Sequence, residues 1–291
     1  MIISPNGDKD TSWLFKNKKI IKNNMKILIL SNKDLASNFA LNLLIPKLQG
    51  DHQLHLWLSS KVGKNTNLPE QLSRLKFFEQ DLLNKLLCPL FMSSKATKFK
   101  TFEGFNDYLD SEIREENKIN SSDSIARIHT ISPDLIISIR YGGILNYECI
   151  KIPKQGVINL HSGILPKYKG VMATFWAMLN GEETIGTTLH TIDDGSIDTG
   201  KIIKISTMKV KKEKSYLQHT LELYRQGTLD IMDAISIYSK NEKPLASPQP
   251  KSESYFTFPK DSDLVKYENE GFKLVDEQAY IDFIRKNYLT E

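Results

Sequence analysis

In the stretch VINLHSGILP, residues 157–166, Asn159 and His161 stand two positions apart at the end of an apolar run. If that run is a β-strand, its alternation sends both side chains to the same face. An amide that donates a hydrogen bond and an imidazole that exchanges a proton near neutral pH together suit acyl-type transfer through a tetrahedral oxyanion. Asp198 adds a carboxylate to the pair if the acidic, glycine-punctuated loop DDGSIDTGKII, residues 193–203, folds back over the strand. Alone, a histidine at a strand end reads as well as a satisfied structural residue; the constellation carries the reading. Serine-nucleophile chemistry lacks its elbow, since the chain holds no G-x-S-x-G.

Such a trio needs a scaffold, and the chain spells one from Met25 onward. In MKILILSNKDLASNFALNLLIPKL, the apolar run Ile27–Leu30 predicts a strand buried on both faces, Ser31 and Asn32 a turn and cap, and the following residues a helix closed by Pro46. A second strand, HLWLSS, begins at His55, and the strand–helix–strand order predicts a parallel sheet with a right-handed crossover. The first turn holds no G-x-G-x-x-G, which excludes a nicotinamide-binding reading. LPEQLSRLKFFEQDLLNKLLCPLF has helical spacing ended by Pro89, and Phe102 to Thr130 reads as a polar, helix-prone connection. PDLIISIRYGGIL supplies another buried strand, Leu135–Ile139. Its Gly142-Gly143 pair either lets the backbone approach a ligand closely or makes a plain tight turn. TFWAMLNG is helical, TIGTTLHTI a strand, and KSYLQHTLELYRQGTLDIMDAI an amphipathic helix.

Composition sets the outer limits. The 291 residues are 40% hydrophobic and 25% charged, enough for a sizeable core. A net charge of +4, from 39 basic and 35 acidic residues spread along the chain, reads as a solvated surface rather than a nucleic-acid footprint, and leaves anionic small molecules open as partners. Cys88 and Cys149 lack ligand-like spacing, so neither a disulfide framework nor a zinc site is expected, and a reducing cytoplasm fits best. No apolar run approaches the ~20 residues of a membrane span. Residues 1–24 lack the apolar core and cleavage site of a signal peptide and are expected to form a flexible N-terminal extension.

Taken in order, PDLIISIRYGGIL, VINLHSGILPKYKG and the loop ending IDTGKII resemble the 10-formyltetrahydrofolate-dependent formyltransferase family, over roughly residues 25–205. The resemblance implies an α/β, Rossmann-like formyltransferase fold, with a mostly parallel twisted sheet flanked by helices and a short C-terminal extension. It implies formyl transfer from 10-formyltetrahydrofolate to an amine, without a metal. The family's Asn-x-His pair and later Asp match Asn159, His161 and Asp198. Asn159 and protonated His161 would hold the oxyanion, and Asp198 would keep His161 in the useful tautomer. The folate would lie between the backbone of Arg140, Tyr141, Gly142, Gly143, Ile144 and Leu145 and the loop carrying Asp193 and Asp194. That loop is one residue longer than the family's Asp-x-Gly-x-Asp, which leaves open which of Asp193 and Asp194 takes the structural role.

Tyr168 and Lys169 are expected on the acceptor side, with Lys169 either meeting a phosphate or carboxylate or standing solvated. His190 reads as a core histidine or as a flank of the folate pocket, and His219 receives no role. The expected organisation is an extension at 1–24, a catalytic domain at 25–206, and a C-terminal helix and extension at 207–291 packing on the core. Relatives acting on methionyl-tRNA carry a further β-barrel, for which one helix and a tail after Thr207 are too little. A small-molecule amine is therefore the expected acceptor, a nucleotide-linked amino sugar or a hydroxyornithine-type siderophore precursor. Methionyl-tRNA, glycinamide ribonucleotide and hydrolysis of the formyl folate are the alternatives. Folate and the amine are the expected partners, without nucleic acid or membrane, and a homodimer is left open. SYFTFPKDSD resembles the post-core segment of both amino-sugar and tRNA members, so it does not decide between them.

Overall fold

The structure, a computed structural model, describes residues 24–60, 68–93 and 97–289. The N-terminal extension expected at 1–24 lies outside them except for Asn24. β1 (Lys26–Asn32), β2 (Gln53–Ser59), β4 (Leu135–Ile139) and β5 (Val157–His161) match the apolar runs, and a two-residue β3 (Arg114–Glu115) joins the sheet edge. β6 (Thr184–Ile192) and β7 (Ile202–Lys209) complete seven strands in the order β3-β2-β1-β4-β5-β6-β7. The first five are parallel, and β6 and β7 run antiparallel. The order in which strands are added reverses between β1 and β4, the topological switch point at which open α/β sheets take ligands.

Alternation divides the core into two layers. Ile27, Ile29, Ile137, Ile158 and Leu160 point to one face, beneath α1 (Leu35–Leu48) and α7 (Tyr216–Tyr238). Leu28, Leu30, Ile136 and Val157 point to the other, where they meet Ile128 and Cys149. Those two residues come from α4 (Ser122–Ile131) and α5 (Tyr147–Ile150). Both faces are covered, which explains why the strands read as continuous apolar runs. Gly227 lets α7 close onto β5: a Cβ there would lie 2.7 Å from Leu160 Cδ2, and Leu160 sits between Asn159 and His161.

Three elements depart from the sequence expectation. α1 runs through Pro46 to Leu48, because a proline in the last turn sacrifices little further ladder. The second helical stretch runs as α2 (Glu70–Lys76), a π-helical segment Phe77–Leu87 and α3 (Cys88–Ser93), passing Pro89. The turns before Pro89 are wider than α turns, so its ring does not meet an α-ladder carbonyl. Beyond α6 (Ala173–Leu179) and α7, the tail forms two further helices rather than one helix and a tail: α8 (Asp261–Asn269) and α9 (Glu277–Tyr288). Tyr288 of α9 donates a 2.6 Å hydrogen bond to Asn38 Oδ1 of α1 and stacks on Phe91. The boundary expected at residue 206 falls inside β7, and α7 packs on β6 and β7 as part of the same layer.

Candidate active site

Asn159 and His161 project from β5 to the face shared with Leu30 and Val157, near the carboxyl ends of the parallel strands. The antiparallel register of β5 and β6 sets His190 opposite Asn159 and Thr188 opposite His161. The loop between β6 and β7 folds back over these strands, held by the Thr191 amide bonding the Lys201 carbonyl at 2.9 Å and by Thr191 Oγ1 accepting from the Lys201 amide at 2.8 Å. It delivers Asp198, whose backbone adopts a left-handed φ of 54°.

The four side chains form an open chain, Asn159–His190–Asp198–His161. His161 Nδ1 lies 3.5 Å from Asp198 Oδ2, and His190 Nε2 lies 3.5 Å from Asp198 Oδ1. His190 Nε2 also lies 3.1 Å from Asn159 Nδ2. Carbonyl oxygens only accept, which settles the ring protons. His161 Nε2 donates to the Tyr168 carbonyl at 2.6 Å, and His190 Nδ1 donates to the Thr191 carbonyl at 2.8 Å. Neutral His190 therefore presents Nε2 as an acceptor for the Asn159 amide, and neutral His161 presents an unprotonated Nδ1 toward Asp198. The tautomer of His161 is set by the Tyr168 backbone, not by Asp198 as the resemblance implied. Asp198 supplies charge.

That charge is secure. Burial alone would raise the Asp198 carboxyl, but the charge of a protonated His161, the hydrogen bond and charge of a protonated His190 and the Gly170 amide hold it down, to about 2. The Gly170 amide bonds Oδ2 at 2.8 Å. The loop after His161 is equally constrained: Thr188 Oγ1 donates to the Gly163 carbonyl at 2.7 Å and accepts from the Leu165 amide at 3.1 Å. Gly163 has no room for a side chain. A Cβ there would lie 2.7 Å from His161 Nε2 and 2.6 Å from the Ala173 Cβ.

The segment Arg140–Leu145 follows β4 and borders the acidic loop, where a Cβ on Gly195 would lie 3.7 Å from the Leu145 carbonyl. Its side chains mostly turn into the protein. Arg140, at φ 58°, donates to Asp34 Oδ2 at 2.9 Å and to Glu79 Oε1 at 3.3 Å, and its guanidinium lies over the Tyr224 ring. Burial pushes the Glu79 carboxyl up, to about 7, against the pull of Arg140. Tyr141 donates its hydroxyl to the Glu116 carbonyl, the Gly142 amide bonds Ser59 Oγ, and Leu145 is buried. Ile144 stays 56% exposed, next to the half-buried Gly142-Gly143 backbone. Asp193 and Asp194 are exposed and bond locally, Asp193 to the Thr191 hydroxyl and Asp194 to the Ser196 amide. The extra loop residue is thus absorbed in a local turn, and Asp198 still reaches His161.

Tyr168 and Lys169 do not offer their side chains to an acceptor. Tyr168 is buried, stacked on Phe256, with its hydroxyl donating to Glu182 at 2.7 Å. Lys169 Nζ donates to the Ser252 carbonyl at 2.6 Å. His219, buried between the Ser215 carbonyl and the Lys211 amide, is structural. Sequence reasoning underrated His190 and missed the Tyr168 carbonyl, because a backbone atom has no residue-type signal. Among the described residues no group of three or more His, Cys, Asp or Glu could hold a metal ion, and no helix is long and apolar enough to cross a membrane.

Residues 92–235 match the family described as formyl transferase. A methionyl-tRNA formyltransferase of Thermodesulfovibrio yellowstonii is 31% identical over 160 residues, which are 54% of this chain and 51% of that protein. The chain thus spans about half the length of the curated relatives it matches. Among solved structures, glycinamide ribonucleotide transformylase 1 of Symbiobacterium toebii gives a TM-score of 0.54 at 12% identity, covering 78% of this chain and 95% of its own. The N-formyltransferase of Helicobacter canadensis, solved with folinic acid and dTDP-3-aminofucose, gives 0.52 at 17% identity, covering 88% and 82%. At such identities the likeness is one of fold. Through residues 92–235 the chain carries a formyl transferase domain.

Proposed function

We propose that the protein transfers a formyl group from 10-formyltetrahydrofolate to the amine of a small molecule, with a nucleotide-linked amino sugar as the leading acceptor. The observation that carries the reading is the convergence of Asn159, His161, His190 and Asp198 on one face beside the switch point of a formyl transferase domain. The formyl folate supplies an activated carbonyl carbon and a nitrogen leaving group. The Arg140–Leu145 segment and the acidic loop it borders suit such a donor, since half-buried backbone at Gly142-Gly143 adjoins an exposed, apolar Ile144.

In this reading Asn159 uses one Nδ2 hydrogen on His190 and keeps the other for the oxyanion that forms as the amine attacks. His161 Nδ1, left unprotonated by the bond from Nε2 to the Tyr168 carbonyl, takes the proton that the attacking nitrogen sheds. Asp198 then faces a protonated ring at 3.5 Å and stabilises it, before His161 returns the proton to the departing nitrogen. All three groups are set by the fold before substrate arrives, so little reorganisation is needed at the moment of reaction.

For the acceptor, support comes from a fold neighbour described as a sugar N-formyltransferase and from the N-formyltransferase solved with dTDP-3-aminofucose, which align over most of both chains. A second reading, methionyl-tRNA as acceptor, is favoured by the names of the curated relatives. Incubation with 10-formyltetrahydrofolate, alone and with a panel of amines, tests both. Turnover only on adding a nucleotide-linked amino sugar, with a mass gain of one formyl group, supports the proposal. Release of formate without any amine would mark a hydrolase, and efficient formylation of methionyl-tRNA would establish the second reading.

A further inference from the structure

Residues beyond the matched family segment reach the cluster of Asn159, His161, His190 and Asp198 and pin it from outside. After α7 the chain returns as an extended strap. Ser247 pairs with Ile202 of β7 through two backbone hydrogen bonds of 2.8 and 2.9 Å. Two residues on, Gln249 Nε2 donates to both the Asp198 carbonyl at 3.0 Å and the Gly200 carbonyl at 2.6 Å. Further along, the strap grips the facing loop. The Ser252 carbonyl accepts from Lys169 Nζ, the Phe256 amide bonds the Lys169 carbonyl at 2.9 Å, and the Val171 amide bonds the Phe256 carbonyl at 2.9 Å. The strap therefore holds both sides of one contact: the Asp198 backbone, and the loop whose Gly170 amide binds the Asp198 carboxylate and whose Tyr168 carbonyl orients His161.

Two features mark Gln249 as more than a tie for the tail. Asp198 occupies a left-handed backbone conformation that a residue with a side chain adopts at a cost, and that persists only where surrounding bonds over-determine it. Gln249 also leaves its Oε1 buried without a partner, so its amide is committed to its two donor bonds at the expense of its acceptor. We infer that Gln249 is a positioning residue that holds the Asp198 loop over β5, and that the strap 247–256 completes the active site. The kinetic arm of this inference rests on the formyl-transfer reading; its spectroscopic arm does not.

The test uses the full chain, labelled with 15N-histidine, as parent, Gln249→Met and the shorter Gln249→Asn, which cannot reach both carbonyls. Each is also made in an Asp198→Asn background. Expected are a melting temperature near the parent's, a kcat lower on the order of tenfold with an unchanged KM for the folate donor, and displaced His161 ring-nitrogen signals. In the Asp198→Asn background, Gln249→Met should cost little more. A parent-like kcat with parent-like ring signals, or an equal loss in both backgrounds, would overturn the assignment. If Gln249→Met fails to fold, Gln249→Asn carries the same comparison. If the parent transfers no formyl group, the functional reading fails on its own, and the ring signals decide the clamp: displaced signals support it, unmoved ones end it.

Discussion

Asp198→Asn removes one charge and almost no volume, so it isolates what the carboxylate does. The asparagine Oδ1 can still accept from the Gly170 amide, now 2.8 Å from Oδ2, which keeps the loop in place. The negative charge 3.5 Å from both His161 Nδ1 and His190 Nε2 is lost. A hydrogen-bonded contact to a charged group contributes about 1.5–3 kcal/mol. In the proposed mechanism His161 takes a proton as the amine reacts, so the loss falls on kcat rather than on ground-state binding, a decrease of about 10- to 100-fold. The assay is steady-state formyl transfer, with folate affinity measured separately by quenching of tryptophan fluorescence. Asp194→Asn, whose carboxylate serves only the Ser196 turn, is the control. A second readout comes from stability. The Asp198 carboxyl is held down at about 2 in the fold, so its contribution is complete above the ordinary carboxylate value of 3.8 and disappears as pH falls through about 2. Asp198→Asn should flatten that acid limb. Loss of turnover in Asp194→Asn with parent-like kcat in Asp198→Asn would refute the assignment of the carboxylate.

Other substitutions probe the rest of the cluster. Gly163→Ala drives a methyl group into His161 Nε2 and the Tyr168 carbonyl, both 2.7 Å from the new Cβ, and should cut kcat on the order of 10²-fold while folate still binds. Wild-type kinetics there would mean that the His161–Tyr168 bond is irrelevant to turnover. His190→Leu frees the Asn159 amide and should cost about tenfold in kcat, with little further loss when combined with Asn159→Ala; additive losses would argue against a shared role. Glu79→Gln tests the buried cluster under Arg140. Because burial raises the Glu79 carboxyl to about 7, folding favours its protonated form, and the parent loses stability as pH rises from about 4.5 through 7. Parent and variant should melt alike below pH 4.5, with the variant relatively more stable above 7; a pH-independent difference would contradict the assignment.

What could be read in advance, and what could not, follows from the range over which each feature is encoded. β4 and β5 are legible because both faces are largely buried, so mostly apolar residues mark each strand, and a period of two then places the polar Asn159 and His161 of β5 on one side. The pairing that matters most is non-local. Nothing near His190 in the sequence announces that it lies opposite Asn159, 31 residues away, since that register depends on β6 running antiparallel. Asp198 was legible as a loop carboxylate and through a family pattern, but its approach to His161 depends on a backbone conformation that a sequence does not display. Lys169 misled for the converse reason. A lysine on a polar loop ordinarily projects into water, whereas here the returning strap offers the Ser252 carbonyl and draws the ammonium inward. The same strap explains why Tyr168 contributes a carbonyl rather than a hydroxyl: the side chain stacks on Phe256 and bonds Glu182, while the backbone carbonyl accepts from His161. The polar contacts proposed to tune the reaction are thus made by segments far apart in the chain, brought together by a sheet whose strands could be read one at a time.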